Sequence, residues 1–173
     1  IDFVDISNKT YNICTEKLET KLKEAFVQNK LPKILIPVHL AGQSCDMKRI
    51  HELSLEYGFK IIEDASHAIG GSYLDSKIGQ CKYSDITIFS FHPVKIITSG
   101  EGGAATTNDK SLQEKLLTFR THGITKDANK FSIDSPGPWY YEQHTLGYNY
   151  RITDFQAALG CSQLKRLDEF IDK

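Results

Sequence analysis

The sequence predicts an α/β protein whose sheet is mostly parallel. Two observations support this class in the first 64 residues. Apolar runs alternate with segments of helical periodicity in the order β-α-β-α-β, and the links between them are short. Alternation of this kind favours parallel strands joined by crossover helices. A third observation is the run at 32–40, which is continuously apolar rather than alternating, as in a strand buried on both faces.

The first two elements are a short strand and a helix. Residues 2–6 predict a strand, and residues 15–30 predict a helix with Thr15 as its N-cap. The apolar face of this helix consists of Leu18, Leu22, Ala25 and Phe26. These side chains recur at the spacing of one helix face, so they predict the surface that packs on the sheet.

The next elements continue the alternation. The apolar run at 32–40 predicts a buried parallel strand, residues 46–58 predict a helix and residues 59–64 predict another strand. The side chains that face inward on the helix are expected to be Ile50, Leu53 and Tyr57. Gly58 is expected to end it, because glycine readily adopts the left-handed conformation that closes a helix.

The second half adds two strands, at 84–91 and 102–108, and a helix at 111–123. Residues 124–147 combine Pro136, Gly137 and Pro138 with four aromatic residues and show no periodicity, which indicates a long loop. Long loops are often functional. A helix is expected to close the chain from Thr153, and Thr153 and Gln156 have the spacing of a capping box.

Composition excludes some classes of protein. The chain has 173 residues, 40% of them hydrophobic and 25% charged, and a formal net charge of −1. This balance does not favour nucleic acid or an acidic membrane surface as a partner, and no apolar run approaches the ~20 residues that span a bilayer. The four cysteines and six histidines are scattered, so we expect reduced thiols, a cytoplasmic location and no metal site.

Three polar side chains follow predicted strands, at the points where those strands end. Asp64 closes the strand at 59–64, Lys95 follows the strand at 84–91, and His39 lies at the end of the run at 32–40. Ligands of open α/β sheets bind at the carboxyl ends of the strands. The sequence therefore predicts that these three groups face one rim.

Asp64 and Lys95 together suit pyridoxal phosphate chemistry. Such an enzyme needs a lysine that condenses with the cofactor aldehyde and a carboxylate that keeps the pyridine nitrogen protonated. The lysine must also lose a proton easily, and an apolar environment favours its neutral form. Val94, Ile96 and Ile97 flank Lys95 and would provide that environment if they face inward.

Each residue also has an ordinary interpretation when it is taken alone. A lysine after a strand is usually a surface residue that reaches for solvent, and an aspartate there is most often a turn or helix cap. The glycines of the segment GEGG most often mark turns. The segment DASHA, which contains His67, could simply begin a helix.

Five segments, in a fixed order along the chain, favour a functional interpretation of these residues over the ordinary one. They are VHLAG, IIEDASHAIGGSY, IFSFHPVKIITSGEGGAATTND, FRTHGI and GYNYRITDFQAALG. Together they closely resemble the DegT/DnrJ/EryC1/StrS family of pyridoxal phosphate-dependent nucleotide-sugar aminotransferases, over nearly the whole chain. The resemblance implies a three-layer α/β/α sandwich of the aspartate aminotransferase type, with residues 1–173 as the central part of the large cofactor-binding domain.

The resemblance also implies roles for individual residues. Lys95 matches the Schiff-base lysine, which moves a proton between the sugar C4 and the cofactor C4′. Asp64 matches the partner of the pyridine nitrogen, His67 lies near the cofactor's phenolic oxygen, and Ser90 matches a phosphate-binding serine. Asn149 matches an asparagine that reaches the cofactor phosphate of a neighbouring subunit, which implies a homodimer.

Arg151 is a weaker candidate, for a phosphate or carboxylate of the substrate, because a guanidinium fork suits either group. Taken alone, Arg151 could be a structural ion-pair residue, and Asn149 a turn residue. The family's upstream segment and smaller C-terminal domain have no counterpart in these 173 residues. We therefore expect the chain to be the middle of a longer protein and not to catalyse alone.

The implied reaction transfers an amino group, from glutamate, to C4 of a UDP-linked 4-keto-6-deoxy-N-acetylhexosamine, as in pseudaminic acid synthesis. Three alternatives stay open. One is a cofactor-dependent sugar dehydratase, although such relatives carry histidine where this chain has Lys95. The others are a non-catalytic sensor or regulator that retains the fold, and a plain nucleotide-binding α/β domain.

Overall fold

The computed structural model describes residues 1–173 and divides into two compact units. The first unit consists of Ile1–Asn108 and Asp154–Lys173, and the second of Asp109–Thr153. In chain order the helices and strands are α1 (Thr15–Val27), β1 (Ile34–Leu35), α2 (Met47–Tyr57), β2 (Lys60–Asp64), β3 (Ser72–Tyr73), β4 (Ser76–Lys77), β5 (Ile86–Ser90), β6 (Gly103–Thr106), α3 (Lys110–Arg120), β7 (Ile124–Thr125), β8 (Glu142–Gln143), α4 (Asp154–Leu164) and α5 (Leu167–Ile171).

The central sheet of the first unit has the strand order β1-β2-β5-β6. The strands β1, β2 and β5 are parallel, and only the β5–β6 pair is antiparallel. The prediction of a mostly parallel sheet is therefore confirmed. A small antiparallel hairpin, β3 and β4, precedes β5 and was not predicted.

The register of the strands assigns side chains to the two faces of the sheet. Ile61 and Glu63 share one face, because alternate residues of a strand point the same way, and Thr87 is in register with Glu63. We call this the covered face, since α1 and α2 pack on it. The second face carries Asp64 and Ser90.

The hydrophobic core lies between the covered face and the two helices. Its buried residues are Leu18, Leu22, Cys45, Met47, Ile50, Leu53, Phe59 and Ile61. Three of the side chains expected on helix faces are less buried than predicted: Ala25 and Tyr57 are half-buried, and Phe26 is 63% exposed while its ring meets that of Tyr57 edge-on. Burying apolar surface of this kind contributes about 25 cal/mol per Å². The core therefore fixes β2 against α2, and with it the strand that ends at Asp64.

Local signals set the ends of α2. The Asp46 carboxylate accepts a hydrogen bond from the Arg49 N–H at 3.3 Å, which caps the first turn. Gly58 follows the last turn with φ 77°, and its N–H donates to the Ser54 carbonyl. The predicted helix at 46–58 and its glycine stop are confirmed.

Helix α1 differs from the prediction at both ends. Cys14 rather than Thr15 is its N-cap, with no hydrogen bond from the side chain, and Thr15 is already helical. The helix ends at Val27 instead of residue 30, because Asn29 adopts a φ of 54°. The left-handed conformation of Asn29 cannot continue a right-handed helix.

Two strand predictions were wrong in extent. Residues 2–6 form only an isolated bridge between Ile6 and Ile13, and the carboxylates of Asp2 and Asp5 bond the next N–H along the chain. Within 32–40 only β1 pairs regularly, and Val38 adds a single bridge to Asp64.

The apolar run at 32–40 is also not buried on both faces. Ile36 is 57% exposed and Val38 is 44% exposed. Pro37 lies between them and has no N–H to donate to a neighbouring strand. The second face of the sheet is therefore open at its β1 edge.

The second unit contains more structure than the predicted loop. Helix α3 begins after Asp109, whose side chain caps it, and ends at Arg120, three residues earlier than expected. Strands β7 and β8 form an antiparallel hairpin, and residues 128–130 form a short 3-10 helix between them. The 124–147 segment is thus a hairpin with a long, structured connection.

The helix predicted to close the chain is two helices. Helix α4 begins at Asp154, one residue after the predicted cap, and α5 follows a break at Lys165 and Arg166. The capping box of Thr153 and Gln156 stays a prediction. None of the helices combines the length and the apolar character that crossing a membrane requires.

Candidate functional site

The carboxyl ends of β2 and β5 meet at one edge of the sheet, because the two strands are neighbours and parallel. Asp64 is the last residue of β2 and lies in register with Ile88. Ser90, two residues further along β5, therefore projects from the same second face as Asp64. Asp64 and Ser90 therefore lie at the same edge of the sheet, on the same face.

Asp64 presents a carboxylate with a free oxygen. Its Oδ1 accepts one hydrogen bond, from the Ser66 N–H at 3.0 Å, and no other donor of the chain contacts the carboxylate. The side chain is half-buried. A carboxylate has about four acceptor positions, so this one keeps most of its capacity for a ligand.

Lys95 lies on a loop whose two ends are tied together. The Phe91 carbonyl accepts from the Thr98 hydroxyl at 2.9 Å and from the Ser99 N–H at 3.0 Å. Within this closed loop, the Lys95 N–H donates to the His92 carbonyl. The Lys95 amine is half-buried and has no hydrogen-bond or ion-pair partner in the chain. The loop thus holds an unpaired amine just beyond the end of β5.

The expected apolar enclosure of Lys95 is only partly present. Ile97 is 3% exposed, but Val94 is 78% and Ile96 is 38% exposed. Because the residues of a tight turn point in different directions, the loop buries only one of the three apolar neighbours. In this chain, therefore, Val94 and Ile96 do not remove Lys95 from water.

His67 lies in a series of turns rather than on a helix. Residues 65–71 are tied by bonds from the Ala68 N–H to the Ala65 carbonyl and from the Gly71 N–H to the Ala68 carbonyl. The exposed imidazole accepts the Ala41 N–H at its Nδ1, at 3.3 Å. Its Nε2 is then the nitrogen that can carry a proton toward a ligand.

Asn149 and Arg151 belong to the second unit. Asn149 forms an isolated bridge to Thr121, and the next N–H, that of Tyr150, donates to the Arg120 carbonyl at 2.9 Å. Both side chains are exposed and neither has a partner in the chain. Their proposed roles toward a phosphate or carboxylate stay predictions.

His39 does not face the rim, contrary to expectation. Its side chain is 0% exposed and lies against the covered face. Nδ1 accepts the Cys45 N–H at 3.2 Å, so the ring proton is on Nε2, which donates to Glu63 Oε2 at 2.8 Å. The backbone N–H of Cys45 thereby fixes the tautomer of His39.

Glu63 is the centre of this buried network. Its Oε1 accepts hydrogen bonds from the hydroxyls of Ser84 and Thr87, the latter at 3.0 Å. Burial raises the pKa of the Glu63 carboxyl, but the hydrogen bonds from His39 and Ser84 outweigh it, and the pKa lies below its ordinary value. Glu63 is therefore held as a carboxylate directly beside Asp64.

One signal of this network is present in the sequence. In the strand KIIED, Glu63 stands two residues after Ile61, so both must share the buried face. A carboxylate on a buried face needs donors, and His39 lies at the end of the preceding apolar run. A polar residue at an inward position could thus have indicated the pair.

Comparisons with known proteins identify relatives of this chain. Among curated proteins, the spore coat polysaccharide biosynthesis protein SpsC of Bacillus subtilis is 42% identical over 96% of this chain and 41% of its own length. The UDP-4-amino-4,6-dideoxy-N-acetyl-beta-L-altrosamine transaminase of Campylobacter jejuni is 41% identical over 100% of this chain and 42% of its own length. The chain thus spans about two fifths of the relatives it matches.

A solved structure gives the same result for the fold. Helicobacter pylori PseC, an aminotransferase involved in the biosynthesis of pseudoaminic acid, superposes with a TM-score of 0.82 at 32% identity, over 97% of this chain and 40% of that one. The model of the DegT/DnrJ/EryC1/StrS aminotransferase family matches residues 2–173. By its fold and by this match over nearly its whole length, the chain belongs to the DegT/DnrJ/EryC1/StrS aminotransferase family.

Proposed function

We propose that the full-length protein is a pyridoxal phosphate-dependent nucleotide-sugar aminotransferase. The observation that carries the proposal concerns two side chains at the carboxyl ends of the adjacent parallel strands β2 and β5. The amine of Lys95 has no partner in the chain, and the carboxylate of Asp64 keeps a free oxygen. Because neither group has a charged partner in the chain, we interpret the two side chains as a ligand site at the sheet edge rather than as an ion pair of the fold.

The residues present fit pyridoxal phosphate. The free oxygen of Asp64 can accept a hydrogen bond from a pyridinium nitrogen, and the Lys95 amine is not engaged elsewhere. Ser90 adds a hydroxyl on the same face as Asp64. When bound, this cofactor supplies an aldehyde that carries an amino group and a ring that accepts electrons.

The chain's own residues would then have distinct tasks. Lys95 holds the cofactor aldehyde covalently between turnovers and moves a proton between the sugar C4 and the cofactor C4′. Asp64 keeps the pyridine nitrogen protonated by charge, His67 donates from Nε2 toward the phenolic oxygen, and Ser90 binds the phosphate. Asn149 would reach the phosphate site of a second subunit, so we propose a homodimer.

For the substrates we propose glutamate as the amino donor and a UDP-linked 4-keto-6-deoxy-N-acetylhexosamine as the acceptor, with the product entering pseudaminic acid synthesis. The Campylobacter and Helicobacter relatives support this choice by their names. Arg151 is the candidate for a phosphate or carboxylate of the substrates. Since donor and acceptor use one site in turn, the kinetics should be ping-pong.

Absorbance spectroscopy of the full-length protein tests the chemistry. Pyridoxal phosphate should give the band of the lysine-bound cofactor, and glutamate should bleach it. Lys95→Ala should lack the band, whereas Lys48→Ala, at an exposed lysine without side-chain partners, should keep it. Borohydride should fix the cofactor on Lys95. A band of wild-type intensity in Lys95→Ala would overturn the assignment.

Mass spectrometry tests the substrate. Wild-type enzyme with glutamate should be offered UDP- and dTDP-linked 4-keto sugars, and the product with an amino group at C4 should form fastest from the UDP-linked N-acetyl sugar. Faster turnover of a dTDP sugar would refute the proposed acceptor. Turnover of none, with a normal cofactor band, would favour a sensor or a dehydratase.

A further inference from the structure

His39 is joined to the strand β2 in two ways. Its backbone N–H donates to the Asp64 carbonyl at 3.0 Å, and the Asp64 N–H donates to the Pro37 carbonyl at 2.9 Å. Its side chain, which is fully buried, donates to Glu63 at 2.8 Å. One residue therefore contacts both the main chain of Asp64 and the side chain of the residue before it.

The side chain of Glu63 cannot move independently of this contact. Oε2 accepts from His39, and Oε1 accepts from Thr87 at 3.0 Å and from Ser84. Thr87 is itself fully buried on β5. The carboxylate is thus held between β2, β5 and the segment that carries His39.

We infer that His39 is a positioning residue for Asp64. Glu63 and Asp64 point to opposite faces of one strand, so a rotation of this strand segment about its own axis would move both carboxylates together. The His39–Glu63 hydrogen bond opposes that rotation on the covered face. The two backbone hydrogen bonds, from His39 to Asp64 and from Asp64 to Pro37, oppose it at the main chain. His39 thereby sets the direction in which the Asp64 carboxylate leaves the sheet.

This inference rests on the proposed function, because it assigns Asp64 to the pyridine nitrogen of the cofactor. A hydrogen bond to an ionised partner depends on alignment and distance. At metal sites, removing a group that orients a metal-binding side chain typically changes affinity or activity 10- to 100-fold, and we expect an effect of the same order here. If Glu63 loses its hydrogen bond from His39, the carboxylate of Asp64 should hold the proton on the pyridine nitrogen less firmly.

Two substitutions of His39 separate positioning from packing. In His39→Asn the amide oxygen lies near the position of Nδ1, so the bond from Cys45 is kept and the bond to Glu63 is lost. In His39→Gln the amide nitrogen lies near the position of Nε2, so the bond to Glu63 is kept and the bond from Cys45 is lost. Each variant leaves one buried group unpaired, so both variants should unfold at similarly reduced urea concentrations.

The readout is the protonation of the ring nitrogen of bound pyridoxal phosphate, followed by ¹⁵N NMR of the labelled cofactor on full-length protein. His39→Asn should lose the ring proton at a pH at least one unit lower than wild type, and its dissociation constant for the cofactor should rise about 10- to 100-fold. For His39→Gln, the pH at which the ring proton is lost and the dissociation constant should both lie closer to the wild-type values. Thr87→Val should shift the protonation of the ring nitrogen and the dissociation constant in the same direction as His39→Asn. Thr87→Ser keeps the hydroxyl and should retain the wild-type values.

The outcomes are distinct. Identical ring-nitrogen signals in wild type, His39→Asn and His39→Gln would overturn the positioning role and leave a packing role. If both His39 variants fail to fold, equal signals in Thr87→Val and Thr87→Ser would overturn it instead. A wild-type protein that never forms the Lys95-linked band would overturn the proposed function itself.

Discussion

Glu63 and Asp64 are adjacent carboxylates on one strand, and the fold treats them in opposite ways. Glu63 points to the covered face, is 5% exposed and accepts hydrogen bonds from three side chains. Asp64 points to the second face, is half-buried and accepts one backbone N–H. A buried carboxylate without donors would cost several kcal/mol, so Glu63 requires its network. Asp64 requires none, and its free oxygen is available.

One strand can thus contribute to stability and to chemistry together. Because side chains alternate across a strand, neighbouring residues can take separate tasks without a change in the backbone. The covered face fixes the strand through Ile61 and Glu63, and the second face displays Asp64 beside Ser90. The comparison predicts that substitutions at 63 and 64 should affect different properties.

The largest expected effect is on activity, from Asp64→Asn. The amide can still accept the Ser66 N–H, so the free energy of unfolding should change by less than about 0.5 kcal/mol. It carries no charge to hold a pyridinium proton, so kcat/KM should fall about 10²- to 10³-fold. Steady-state kinetics and urea unfolding of full-length protein check both halves. A variant that unfolds easily yet retains its activity would reverse the comparison.

The next effect is on stability, from Glu63→Ala. The substitution leaves the donors of His39, Ser84 and Thr87 without their acceptor, at about 1–3 kcal/mol for each buried group. We expect a loss of about 3 kcal/mol or more in urea unfolding at pH 7. Glu24→Ala, at an exposed glutamate of α1, should change stability by less than about 0.5 kcal/mol.

The pH dependence of the Glu63 effect has a definite sign. The pKa of Glu63 is lowered in the folded protein. Its stabilising contribution is therefore fully present above the ordinary value of 4.5 and is lost as the pH falls below it. Wild type and Glu63→Ala should converge in stability on acidification. A gap that stayed constant down to the acid transition would mean that Glu63 contributes by packing alone.

The parts of the fold that were predictable are those with local causes. The ends of α2 follow from Asp46 and Gly58, each of which acts within a few residues of its own position. The extent of β1 was not predictable in this way, because its pairing depends on β2, about 25 residues later, and on the missing N–H of Pro37. An apolar run indicates that a segment is buried or can be covered by another part of the protein. It does not indicate how many of its residues pair with a neighbouring strand.

The candidate site divides along the same line. Asp64 and Lys95 could be found because polar residues after parallel strands share an edge, and this rule needs only the order of elements. The pairing of His39 with Glu63 joins residues 24 apart through side chains, and its tautomer depends on the Cys45 N–H. The exposure of Val94 and Ile96 depends on how the loop closes through Phe91. Contacts of this kind are set by tertiary structure.

A smaller effect is expected from substituting two glycines, one at the end of a helix on the covered face and one in the loop of Lys95. Gly58 ends α2 at φ 77° and Gly100 lies in the loop of Lys95 at φ 82°, and an added Cβ would meet no atom at either position. Alanine should therefore cost about 1 kcal/mol at each, from backbone strain alone. Only Gly100→Ala should also weaken cofactor binding, by up to about tenfold, since the strain can be relieved by shifting the loop.

Fluorescence titration and urea unfolding of the two variants check this pair. Both should unfold at similarly reduced urea concentrations, with wild-type cofactor affinity in Gly58→Ala only. Equal loss of affinity in both variants would show that the helix layer and the Lys95 loop are not energetically separate.

The smallest effect concerns a third carboxylate, Glu142, in the second unit. Like Glu63, it is surrounded by donors from three residues: it accepts from the N–H and hydroxyl of Ser132, from the Tyr140 hydroxyl and from His144 at 2.8 Å. The hydrogen bond from His144 is the largest contribution that lowers the pKa of Glu142, to about 2. It differs from Glu63 because two of its partners, Ser132 and His144, are exposed, and ion pairs open to solvent contribute little to stability.

The lowered pKa fixes where the contribution of Glu142 should disappear. It is present above about pH 4.5 and is lost as the pH falls toward about 2. Trp139 lies in the same loop, so its fluorescence should change over this range in wild type and stay flat in Glu142→Gln, with Trp139→Phe as the background. Because Glu142 orders only its loop, urea unfolding at pH 7 should hardly differ between wild type and Glu142→Gln. A large difference would show that the exposure of the partners is not what separates Glu142 from Glu63.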